Sequence, residues 1–155
     1  MIKIMKLKPY ESIGNLVFGM TRNEVKNYLG ECRSTYMYGY PVEDRFLDNY
    51  GDVHALFNNQ QLLEAVEIFP DLQEDELWIE LENIKMQIYI DKMMFLNEIK
   101  IIAPDITLDS EGDGYFSDKL GLKVYCPEDK IEDIIVHDRY CYDEENQYLE
   151  ENGFK

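Results

Sequence analysis

Carboxylates aside, few side chains in this chain are equipped for chemistry. His54 and His137 each fall inside a predicted hairpin strand and outside any HxH, HExxH or cysteine–histidine pattern. Cys32, Cys126 and Cys141 are odd in number and have no CxxC spacing, so neither a disulfide framework nor a zinc site follows. They read as reduced thiols packed as small hydrophobes. GxSxG, P-loop and GxGxxG motifs are absent, which leaves acyl transfer and phosphate cradling without a seat. An acid–base site would require a cleft around His54 or His137 beside a carboxylate of strongly shifted ionisation. On sequence alone the expectation is a non-enzyme with no catalytic residues and no cofactor.

One acidic stretch has partial metal-ligand spacing. In DSEGDGYFSDKL, residues 109–120, Asp109, Glu111, Asp113 and Gly114 follow the opening of a calcium loop, but its twelfth position holds Leu120 in place of a bidentate glutamate. A weak cation site on Asp109, Glu111 and Asp113 is one reading. A turn-rich acidic loop leading into a strand is the other.

The charge balance narrows the partners. Against 32 Asp and Glu stand 15 Lys and Arg, a formal net charge of −17 on 155 residues. Nucleic acid is disfavoured, because phosphate contacts need Lys and Arg to release counterions. A cationic protein or a metal ion is favoured. Twelve Tyr and seven Phe argue against disorder. No stretch approaches the roughly 20 apolar residues of a membrane span, and the N-terminal segment lacks a signal-peptide apolar run. A cytoplasmic chain is the expectation.

The elements that would position these groups repeat weakly. Leu16, Phe18 and Met20 alternate like a strand; Thr21 and Glu24 then form a capping box, Val25, Tyr28 and Leu29 a helical stripe, and Gly30 a stop. Seventy residues on, Met86, Ile88 and Ile90 alternate, Asp91 takes the N-cap, and the helix should end before Pro104. A hairpin follows each helix, VHALF–NNQQ–LLEAVEIF and GLKVYC–PEDK–IEDIIVHD, with Val66 matching Ile134 and Ile68 matching Val136 at an offset of 68. QEDELWIELENIKM adds a half-buried strand. The predicted class is α+β: two tandem strand–helix–hairpin units, about 9–76 and 77–142, forming one antiparallel sheet with helices on one face. Together they make a single domain over 1–155, with an acidic tail at 143–155.

Tyr36, Tyr38 and Tyr40 stand at alternate positions, three rings on one side of a strand. Tyrosine offers a rigid apolar body and a hydroxyl, and it is enriched at interfaces. With Glu43 and Asp44 as an acidic rim, these residues are the candidate partner-binding surface; packing beneath the helices is the competing role.

The run Gly19-Met20-Thr21, then Val25, Leu29 and Gly30, resembles the GMTxxxVxxxLG signature of small bacterial proteins. These include the β-lactamase-inhibitory-protein and outer-membrane-assembly-lipoprotein types, and the chain is also similar to small immunity partners in toxin systems. The resemblance implies a sheet face used for protein binding, and only structural roles carry over to those six residues. The expected function is therefore an acidic inhibitor or immunity protein that blocks a basic, nuclease-like toxin by steric occlusion. A calcium-responsive module on the 109–118 loop is the alternative.

Overall fold

Local signals set both helices. The Glu24 amide donates to Thr21 Oγ1 at 3.2 Å and the Thr21 amide donates to Glu24 Oε1 at 3.3 Å, a reciprocal cap that opens α1 (Arg22–Leu29). Gly30 follows at φ 82°, a conformation that favours glycine, and its amide closes the last turn on the Lys26 carbonyl. Asp91 accepts from the Met94 amide at 3.0 Å and opens α2 (Lys92–Ile102), which ends ahead of Pro104.

The computed structural model describes residues 2–38 and 45–141. Its remaining elements are strands, apart from a 3₁₀ turn at Pro70–Leu72. They are β1 (Ile2–Lys8), β2 (Ser12–Ile13), β3 (Leu16–Val17), β4 (Ser34–Tyr38), β5 (Arg45–Asn49), β6 (Val53–Phe57) and β7 (Leu63–Ile68) in the first half. After it come β8 (Glu76–Leu81), β9 (Ile84–Gln87), β10 (Thr107–Leu108), β11 (Gly114–Ser117), β12 (Leu122–Tyr125) and β13 (Asp133–His137). One sheet has five strands in the order β3-β2-β1-β8-β9, with β1 and β8 parallel. The other has eight, in the order β10-β11-β12-β13-β7-β6-β5-β4, all antiparallel.

This overturns the α+β expectation of one antiparallel sheet covered by helices. The described residues form two sheets and only two helices, a predominantly β architecture. The added strands come from three segments. Ile2–Lys8 pairs with the linker strand Glu76–Leu81 and starts a second sheet. The alternating stretch around Tyr36 folds back on itself as β4–β5, and the acidic loop is the turn of β10–β11. α1 buries only Val25, so it cannot cover a sheet; α2 buries Phe95, Leu96, Ile99 and Ile102.

The two hairpins meet at the middle of the large sheet. β7 pairs with β13 so that Val66 faces Val136 and Ile68 faces Ile134. Those are the residues related by the offset of 68, so the hairpins meet about a local two-fold running through Glu67 and Ile135. The helix starts obey the same relation: Thr21 bridges to Leu62 and Asp91 to Lys130.

Alternation divides the large sheet into two faces. The inner face, with Val53, Ala55, Phe57, Val66, Ile68, Leu122, Val124, Ile134 and Val136, is buried. It shares one core with Met5, Leu7, Leu77, Ile79 and Met86 of the small sheet and Phe95 and Ile99 of α2. The outer face carries Tyr36, Leu47, His54, Leu56, Glu67, Lys123, Tyr125, Asp133, Ile135 and His137. A small apolar cluster of Leu47, Leu56, Ala65, Ile135 and Cys141 lies there. No helix among the described residues is long and apolar enough to cross a membrane.

Candidate functional site

The outer face of β11–β13 carries a groove of ≈ 860 Å³. Register places its ends. Gly114 pairs with Tyr125 and Tyr125 with Asp133, so the Asp109–Asp113 turn stands at one end. At the other end Tyr10 reaches in from the turn between β1 and β2. Its hydroxyl donates to the Asp118 carbonyl, its ring meets His137 edge-on at 5.9 Å, and the Arg139 guanidinium lies 4.3 Å over it. Gly121 makes room for that ring: it sits at φ 62°, and a Cβ there would come within 2.9 Å of Tyr10 Cε1.

The lining is acidic and aromatic. Carboxyl groups come from Asp109, Glu111, Asp113, Asp118 and Asp133, and rings from Tyr10, Phe116 and Tyr125, while Tyr115, opposite Val124, turns its ring to the inner face. Lys123 and Arg139 supply the cations. Burial holds the His137 imidazole below its ordinary pKa, and its Nδ1 lies 2.8 Å from the Asp138 carbonyl, to which the neutral ring donates.

Towards the centre of the same face His54, Glu67 and Asp133 gather. His54 Nδ1 lies 3.0 Å from Glu67 Oε1, and Phe69 meets the imidazole edge-on at 4.6 Å. Desolvation lowers the His54 pKa, so at neutral pH the contact is that of an uncharged ring donating to a carboxylate. The Asp133 pKa is pushed up to about 8, first by burial and then by the neighbouring Glu67 carboxyl. Asp133 Oδ1 is buried with no hydrogen-bond partner. The groove thus places a histidine and a shifted carboxylate in one cleft, His137 and Asp133. Four residues of extended strand set them about 13 Å apart, beyond direct proton transfer.

The sequence-selected residues meet mixed outcomes. Tyr36 lies on edge strand β4, 54 % exposed and on the outer face opposite Leu47, four strands away from β13. Tyr38 pairs with Arg45, and its side chain falls outside the described residues, as do Tyr40, Glu43 and Asp44. Asp109 Oδ1 accepts from the Glu111 and Gly112 amides at 3.1 and 2.8 Å, which folds the acidic turn without a cation. The left-handed residue there is Gly112, whereas Gly114 is small because a Cβ would sit 2.4 Å from the Val124 carbonyl. Among the described residues no group of His, Cys, Asp and Glu has metal-binding geometry. Cys32, Cys126 and Cys141 are free thiols; burial raises the pKa of Cys126 and Cys141.

Sequence reasoning missed Tyr10, Phe116 and Asp133 as site residues. For Asp133 a signal was present: in IEDIIVHD, Asp133, Ile135 and His137 alternate against Ile134 and Val136 and so share one face. Nothing local marks Tyr10, which arrives from 108 residues away in sequence to reach Asp118.

The site defines a class, a two-sheet β protein with an acidic, aromatic groove on its open sheet face. Comparison with known proteins finds no matching family model, curated protein or solved structure.

Proposed function

We propose that this chain is a non-enzymatic acidic binding protein whose outer-face groove takes up a basic segment of another protein and occludes it, as an inhibitor or immunity protein does. The observation that carries this reading is the groove's lining, five carboxyl groups, Asp133 the buried one, and three aromatic rings against two cations. Carboxylates at a net charge of −17 attract a cationic surface and raise the rate of encounter. Rings supply contact area that stays favourable after water leaves, which charge alone does not. A nuclease-like toxin suits such a groove, since a surface that holds phosphate is itself cationic.

The test is binding to basic proteins, beginning with the product of the gene adjacent to its own, followed by amide NMR shifts. The groove residues Tyr115, Phe116, Lys123 and Tyr125 should shift first, and association should slow about tenfold or more as salt is raised. The double variant Glu111→Lys/Asp118→Lys, at two exposed positions, should slow association without altering the melting temperature. A partner that binds at a salt-independent rate, or that leaves the groove amides unshifted, refutes the proposal.

A further inference from the structure

We propose that two copies of this chain pair through the outer side of α2, helix against helix and antiparallel about Asn97. The inference does not depend on the groove or its ligand. The inner side of α2 shares the core with the inner face of the large sheet, whereas the groove opens on that sheet's outer face. A pair joined at α2 therefore leaves both grooves free.

A helix that lies on a core buries one side and turns polar residues to water on the other. α2 departs from this. Phe95, Leu96, Ile99 and Ile102 are buried, yet Met93, Met94 and Ile101 stand 65 %, 48 % and 63 % exposed. Apolar residues thus surround the helix, as in one that is buried on more than one side. The exposed patch continues past both ends. Ile90, just ahead of the N-cap Asp91, is exposed, and Ile84 of β9, also exposed, lines the same hollow as Ile101.

Charge and spacing point to a second copy as the cover. A net charge of −17 opposes contact between copies, but from Ile84 to Ile102 Lys85, Lys92 and Lys100 stand against Asp91 and Glu98. Here two chains can meet without an excess of like charge between them, and a cationic partner of the kind the groove suits finds no surplus of carboxylates. Met93, Asn97 and Ile101 lie four residues apart, on one side of the helix. About Asn97 that row is self-complementary. A two-fold axis there sets Met93 against Ile101 of the second copy, Ile101 against its Met93, and Asn97 against its own equivalent, each amide both donating and accepting. A single polar residue in an apolar helix seam fixes its register, and antiparallel packing opposes the two helix dipoles favourably.

Size sets the strength. Eleven residues of helix are about 17 Å long and about 10–12 Å across, so the patch falls short of the roughly 800 Å² a side of a standard complex. The dimer is weak and forms at high concentration.

Sedimentation equilibrium of the full chain from about 10 μM to about 1 mM tests this, with a dissociation constant on the order of 100 μM expected. Raising salt from about 50 to about 500 mM should tighten the dimer by screening the repulsion between two acidic chains, the reverse of its effect on a cationic partner in the groove. Met93→Lys and Ile101→Lys each reduce the chain's negative charge, yet each should weaken the dimer about tenfold or more. Both positions are exposed, so the melting temperature of the dilute monomer should not move. Tyr28→Lys, at an exposed position of α1, should leave the dimer unchanged. Met93→Glu combined with Ile101→Lys should associate better than Met93→Glu alone, because antiparallel pairing brings the opposite charges together and parallel pairing would oppose like with like. A wild-type chain that stays monomeric to about 1 mM overturns the proposal, even if its α2 amides respond to another protein. So does a dimer that Met93→Lys and Ile101→Lys leave intact, or a double variant that associates no better than Met93→Glu.

Discussion

Replacing Arg22 should loosen the Tyr36-bearing hairpin from the rest of the molecule. The side chain leaves the first turn of α1 and grips Asp48 of β5 with two bonds, Nε to Oδ2 at 3.0 Å and Nη2 to Oδ1 at 2.7 Å. Thr35 of β4 completes the cluster, donating to Asp48 Oδ1 at 2.8 Å and accepting from Arg22 Nη2 at 3.2 Å. The guanidinium also lies 5.5 Å from the Phe46 ring centre and 6.0 Å from that of Phe57. The Asp48 side chain is only 4 % exposed, against 33 % for Arg22. Removing one partner of a fully buried pair costs about 3–5 kcal/mol, because the other charge is stranded. Arg22's partial exposure admits some screening, so we expect Arg22→Met to cost about 2–4 kcal/mol in urea unfolding. Asp48→Asn keeps an acceptor and should cost less. The coupling between the two changes should be about 1–3 kcal/mol, and β4 amides should lose protection before those of β6 and β7. A cost below about 1 kcal/mol, or additive single changes, would show that the cluster does not hold the hairpin.

Other outcomes follow from single contacts. Gly121→Ala places a Cβ against the Tyr10 ring and the His137 carbonyl at φ 62°; about 2 kcal/mol of strain should lower the melting temperature by about 4–8 °C. Phe95→Ala empties a fully buried site where α2 meets the core, and about 3–5 kcal/mol should be lost in urea unfolding. Asp109→Ala removes the acceptor for two turn amides and should cost about 1–2 kcal/mol by thermal melting, whereas Asp109→Asn should cost less. Acidification through the ordinary histidine range should destabilise the fold, since both histidines fold uncharged; His54→Gln should reduce that loss in a pH series of melts.

What the sequence showed was whatever rests on neighbours along the chain. Thr21 with Glu24 marks one helix start and Asp91 the other, because capping bonds span three residues. The β6–β7 turn was legible as NNQQ because Asn58 Oδ1 accepts the Gln60 and Leu62 amides, a bond with a sequence signature. The second sheet was not legible. Its central pairing joins residues 74 apart, Ile2 with Glu76, and alternation in each strand says only that it has a buried side, not which strand lies beside it. The likeness of the two hairpins could be read as an offset; that equivalent strands pair with each other could not.

Asp133 shows why a site can hide in a strand of ordinary pattern. With Ile135 and His137 it forms the less apolar side of β13, a side that in an isolated hairpin would face water. Here β13 has β7, β6, β5 and β4 on one flank and β12, β11 and β10 on the other, and Cys141 covers part of the same face. Width and cover remove water from polar positions that the local sequence would leave solvated. A carboxyl in that setting keeps its proton, as Asp133 does to about pH 8, while Asp109 and Glu111 at the sheet's end stay exposed or nearly so. The same sheet therefore sorts carboxyl groups by position: those at the rim stay in water, and the one at the seam holds its proton to higher pH. If widening explains the sorting, shortening the cover should undo it. Cys141→Ser, which puts a polar group on the Leu56–Ile135 cluster, should destabilise the fold and bring the Asp133 titration closer to an ordinary aspartate when followed by carboxyl carbon NMR. An unchanged Asp133 titration in that variant would assign its burial to the neighbouring strands alone.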